Sequence, residues 1–121
     1  MLLKNQKARD VMRKAVTVDP DRTVAHAEIL LKRNNSDYLC VTKGGYICGV
    51  FYKSDISNSN LKNVVADFTS PCRMSVVSTS DLSFILQLIK DEQLHSLLVM
   101  EKGECVGIIT RNSLYEDGYI Q

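Results

Sequence analysis

Residues 49–55 read GVFYKSD and residues 107–113 read GIITRNS. Both follow one pattern: glycine, two apolar residues, a hydroxyl, two free positions, an acid. Each copy departs from it once. The first keeps the acid, Asp55, but has Tyr52 in the hydroxyl place; the second keeps the hydroxyl, Thr110, but has Ser113 in the acid place. A hydroxyl three residues before an acid at a helix start does one of two jobs. It closes a capping box, in which the hydroxyl receives the third helical N–H and the acid reaches back to the N–H of the cap. Alternatively, the same geometry holds a ribose phosphate. The free N–H groups and positive end of the helix draw the phosphate, the hydroxyl adds a bond, and the carboxylate accepts two bonds from a ribose diol. The glycine and the apolar pair opened by Val50 or Ile108 would let a flat base lie close to the strand.

On the ligand reading, Thr110 of the second copy holds a phosphate, with Arg111 beside it as countercharge, and Ser113 offers a ribose only a neutral bond. In the first copy Asp55 grips a ribose, but the Tyr52 ring stands where a phosphate would approach. That ring face suits a cationic group instead.

Sliding the sequence by 58 positions lays one half over the other. Val18 then meets Val76, Val24 meets Leu82, Ala27 meets Ile85, Leu31 meets Ile89, Leu39 meets Leu97, and Gly49 meets Gly107. One extra residue near Pro71 shifts the register upstream, where Asp10 meets Asp67. Two copies of so long a unit indicate a duplicated half-domain rather than a solenoid.

Each copy predicts the same elements. A strand at 16–18 or 75–77 precedes a helix with an apolar stripe of Val24, Ala27, Leu30 and Leu31, or Leu82, Ile85, Leu88 and Ile89. Thr23 and Asp81 stand at the caps. A hairpin turning at Gly44–Gly45 or Lys102–Gly103 follows, then a second helix at 53–57 or 111–116. The fold class is α+β, two β-α-β-β-α repeats expected to pack around an approximate twofold axis, because neither alone covers a sheet this small. The boundaries are 7–57, a linker at 58–64, and 65–116.

With 121 residues, 45% of them apolar, the chain fills one core or two half-domains. Its net charge of +1 gives no overall field for nucleic acid or an anionic membrane, and the basic run Lys4, Lys7, Arg9, Arg13 and Lys14 reads as a solvated face. No apolar stretch suits a membrane span or a signal peptide, so a cytoplasmic location is expected. The four cysteines are widely spaced, with only His26 and His95 to help them. Neither a metal site nor a disulfide framework is expected.

The order of these features, with the opening RDVMRKAVTVDPDRTV at 9–24, resembles the cystathionine β-synthase (CBS) domain, which occurs in tandem pairs called Bateman modules. The resemblance covers about Lys7 to Glu116. It implies a non-catalytic regulatory module that needs no cofactor and binds AMP, ADP, ATP or S-adenosylmethionine in clefts between the repeats. It also implies homodimers and control of an attached or associated enzyme, channel or transporter. His95 matches a position that contacts phosphate in some members. Its counterpart in the first copy, Asp37, would repel an anion. The alternative is an interaction module with vestigial clefts, whose work is homodimerisation or docking. A homodimer is expected on either reading, since apolar residues outside the core stripe such as Ile29, Phe84 and Leu86 need cover. An enzyme is not expected, since no nucleophile stands beside a base in this pattern.

Overall fold

The computed structural model describes residues 5–72 and 74–121, so Lys4 of the basic run lies outside the described residues. The chain runs α1 (Ala8–Val11), β1 (Arg13–Lys14), β2 (Thr17–Val18), α2 (Val24–Asn34), β3 (Tyr38–Lys43), β4 (Tyr46–Tyr52) and two 3₁₀ helices, Lys53–Asn58 and Val65–Phe68. It continues through β5 (Ser75–Val77), α3 (Leu82–Asp91), β6 (Ser96–Glu101), β7 (Glu104–Thr110) and α4 (Arg111–Glu116). This is an α+β fold with two β-α-β-β-α repeats.

The local reasons repeat with the sequence. The Thr23 hydroxyl accepts from the His26 N–H at 3.2 Å and starts α2, whose Val24, Ala27 and Leu31 are buried. α3 buries Leu82, Ile85 and Ile89 in the same way. Its cap differs from expectation: Asp81 stands at the N-cap, but its side chain makes no cap bond and is ion-paired with Lys7 instead. The hairpin turns need left-handed backbone, met by Gly44 and Gly45 at φ 55° and 84°, and by Lys102 and Gly103 at φ 51° and 80°.

Both hairpins are bulged at the same place. The register shifts after Val41 in one and after Val99 in the other, leaving Cys48 and Val106 as the extra residues next to the motif glycines. The second helix of each copy differs. Arg111–Glu116 is α-helical, whereas Lys53–Asn58 is 3₁₀. Tyr52 supplies no hydroxyl cap there, and Ser57 and Ser59 donate to the carbonyls of Ser54 and Ile56 at 2.9 and 3.0 Å. Local side-chain bonds of this kind compete with the α-helical ladder.

The chain divides into two compact units that do not coincide with the sequence copies. One is Ala15–Cys72; the other joins residues 5–14 to residues 74–121. In the contiguous unit the sheet order is β2-β3-β4, with β2 parallel to β3 and β3 antiparallel to β4. Its core gathers Val18, Val24, Ala27, Leu31, Leu39, Val41, Phe51 and Val65. The discontinuous unit has the order β1-β7-β6-β5, with β5 parallel to β6 and β1 antiparallel to β7. Ala8 and Val11 of α1 enter its core beside Leu82, Ile85, Leu97 and Ile109.

Residues 5–14 are thus part of the body that carries the second copy. The basic run has a share in this: Lys7 pairs with Asp81, and Arg13 Nη1 lies 2.9 Å from Asp117 Oδ2. In the other unit Ser70 takes the corresponding position, exchanging backbone bonds of 2.8 Å with Val50 in both directions.

Candidate functional site

The residues of the second-copy motif meet where β7 passes into α4. Ser96 and Thr110 are partners in the ladder, and the Arg111 N–H donates to the His95 carbonyl at 3.0 Å. His95, Thr110 and Arg111 therefore share one end of the sheet. His95 and Arg111 are exposed, while Thr110 and Ser113 are 7% and 5% exposed. The Arg111 guanidinium also reaches the Ile89 carbonyl, with Nη2 at a long 3.5 Å.

Thr110 and Ser113 close a reciprocal box. The Ser113 N–H donates to Thr110 Oγ1 at 2.9 Å, and the Thr110 N–H donates to Ser113 Oγ at 3.2 Å. The two hydroxyls are left in different states. Ser113 donates its own proton to the Thr110 carbonyl at 3.0 Å, so donor and acceptor sides are both engaged. Thr110 accepts but donates to no described residue, and the capping and ligand roles of its hydroxyl are compatible.

The first copy repeats the frame with other chemistry. The Lys53 N–H donates to the Asp37 carbonyl at 2.8 Å, placing Asp37 and Lys53 where His95 and Arg111 stand in the second. Asp55 Oδ2 accepts the Tyr52 N–H at 2.8 Å. Tyr52 and Asp55 are half-buried and Asp37 is exposed.

The motif glycines have a structural reason that the sequence reading assigned elsewhere. A Cβ at Gly49, whose φ is 148°, would fall against the Ser70 carbonyl; one at Gly107 would meet Met12 Sδ and lie 2.9 Å from the Arg13 carbonyl. At both glycines the chain itself approaches where a side chain would stand. Val50 and Ile108 are 1% and 0% exposed, so their side chains offer a base no open surface.

A surface cavity of about 450 Å³ in the unit Ala15–Cys72 was not anticipated. It lies between α2 and the 3₁₀ helix Lys53–Asn58, and of the singled-out residues only Asp37 lines it. The available signal was the register of the copies, which sets Ser36 against Leu94 and Ser57 against Tyr115. Among the described residues no group of three or more His, Cys, Asp or Glu is placed to hold a metal ion. No helix of the described chain is long and apolar enough to cross a membrane.

The sequence model of the CBS domain matches this chain twice, over residues 8–61 and 65–117. The chain belongs to the CBS-domain family. It carries the tandem pair called a Bateman module, and such CBS pairs are regulatory and non-catalytic.

Solved CBS structures share the fold. The CBS domain of a bacterial CNNM/CorC family Mg2+ transporter is 21% identical, with a TM-score of 0.80 over 95% of this chain and 76% of that one. A structure of such a domain in complex with ATP is 22% identical, with a TM-score of 0.79 over 95% and 88%. The cytosolic domain of the Mg2+ channel MgtE in complex with ATP is 24% identical, with a TM-score of 0.73 over 92% of this chain and 48% of that one. At these identities the likeness of the CBS pair to them is one of fold.

Proposed function

We propose that this CBS pair is a cytoplasmic ligand sensor for an adenosine-containing molecule, of the AMP, ADP, ATP or S-adenosylmethionine class. Its phosphate side is Thr110, His95 and Arg111, and its output is the activity of an associated enzyme or transporter. One observation carries the reading: the Thr110 hydroxyl keeps its donor uncommitted while accepting the cap bond, beside two exposed side chains, His95 and Arg111, that can meet an anion. Oriented donors next to a guanidinium are what phosphate recognition requires. The first copy offers Asp37 and Tyr52 at the same places, a poor setting for a polyphosphate. The two solved CBS relatives in complex with ATP support the ligand class.

Titration calorimetry of the whole chain with AMP, ADP, ATP, adenosine and S-adenosylmethionine tests this. Saturable binding of one of them, weakened in Thr110→Ala, is the expected result. Binding of none would leave the pair as an interaction module.

Homodimerisation belongs to the same proposal. Phe84 and Ile29 are 56% and 52% exposed on α3 and α2, large apolar side chains that a second copy would cover. Leu86 is no part of that surface, because it packs on the core of its own unit.

A further inference from the structure

We propose that the cavity in the unit Ala15–Cys72 is a second binding site, for a free aliphatic amino acid. Its lining includes Ile56 of the 3₁₀ helix, an apolar side chain that is half-buried, with the nearly buried Leu31 of α2 behind it. At its rim stand Asp37 and Lys53, joined through the backbone at 2.8 Å. Among the described residues neither side chain has an ion-pair partner, although the nearby Lys32 and Glu28 pair at 3.6 Å. An unpaired carboxylate and an unpaired ammonium on residues joined through the backbone suit a ligand that carries both opposite charges, and they disfavour one that carries only one. The volume of about 450 Å³ lies within the usual range for small-molecule sites.

The other copy shows that the fold does not require this opening. The same backbone bond is present in both, Ser36 N to Leu31 O at 2.9 Å and Leu94 N to Ile89 O at 3.0 Å. In the second copy the site is closed: Leu94 is 3% exposed, Leu114 is fully buried, and Arg111 reaches across to the Ile89 carbonyl. In the first copy Ser36 replaces Leu94, Ile56 is only half-buried, and the Lys53 ammonium makes no such bond. The duplicated frame has thus been filled with apolar volume once and left open, with charged groups at the rim, once.

In this site the amino acid carboxylate meets Lys53, its ammonium meets Asp37, and its side chain lies on Ile56. None of its lining residues belongs to the unit that carries Thr110 and His95, so the inference stands independently of the nucleotide reading.

The test is calorimetry of the full chain with L-leucine, with glycine, and with the two single-charge analogues 4-methylpentanoate and 3-methylbutylamine. Leucine is expected to saturate on the order of 1 mM, as suits a ligand this small. Each analogue should bind about tenfold more weakly or worse, as loss of a charge-assisted bond implies, and glycine should bind weakly for want of a side chain. Ser36→Leu, which copies the closed half, should abolish leucine binding. Lys53→Ala should weaken it about tenfold and leave any response to AMP unchanged. No saturation with leucine up to about 50 mM, a concentration far above the expected constant, would overturn the proposal. So would leucine binding unaltered in Lys53→Ala, an exposed substitution that decides the matter even if Ser36→Leu does not fold.

Discussion

Asp55 and Ser113 reach back to the same atom in the two copies: Asp55 Oδ2 takes the Tyr52 N–H at 2.8 Å, and Ser113 Oγ takes the Thr110 N–H at 3.2 Å. The carboxylate does with one oxygen what the hydroxyl does with its only one, and has a second oxygen to spare.

Ser113→Asp is therefore expected to keep the cap and add an acceptor for a ribose diol. Two charge-assisted bonds, less the cost of desolvating a carboxylate at a nearly buried position, should raise AMP affinity about tenfold. Calorimetric titration of parent and variant with AMP and with adenosine checks this. A variant that folds normally and binds neither better would show that the site does not take a ribose.

Thr110→Ala removes the cap and the uncommitted donor together. The loss should be about 1 kcal/mol in urea unfolding, with weaker binding of any phosphate-bearing ligand. Thr110→Ser keeps the oxygen and should restore both. Restored stability without restored binding would limit the residue to capping.

The two motif glycines should respond unequally to alanine. At Gly49 the new Cβ meets a backbone oxygen, and the backbone φ of 148° disfavours a side chain, so a loss of about 2–3 kcal/mol is expected. At Gly107 the first obstacle is the flexible end of Met12, and about 1–2 kcal/mol should suffice. Denaturant unfolding of both variants reads the difference, and equal losses would contradict it.

A dimer held by the exposed faces of α2 and α3 should dissociate when Phe84→Glu places a charge there. Sedimentation equilibrium at micromolar concentration is expected to show a dimer for the parent and a monomer for the variant. A monomeric parent would remove this part of the proposal.

Local pattern made the hairpins and long helices legible, because Gly44–Gly45, Lys102–Gly103 and the stripes of α2 and α3 carry their causes in neighbouring residues. What escaped depends on distant ones. β1 has two residues and exists because β7 offers it an edge. Asp81 has the right type for a cap but is held by Lys7, far away in sequence. The motif at 107–113 gave the pairing of Thr110 with Ser113, yet nothing local says that both are nearly buried, or that Met12 lies over Gly107. The cavity escaped for a further reason: it is defined by what Ser36 does not fill, and a missing volume shows only beside Leu94.

The allocation of residues 5–14 to the second body also sets an order of events during synthesis. Ala15–Cys72 is contiguous and has all its strands once Cys72 has left the ribosome. β1 must wait for its ladder partner β7, some ninety residues later; at roughly 5–20 residues per second this is a delay of several seconds. Ala8 and Val11, buried in the finished molecule, share a core with Leu97 and Ile109 of β6 and β7, which are not yet made in that interval. Residues 5–14 thus emerge before Ala15–Cys72 and are packed after it.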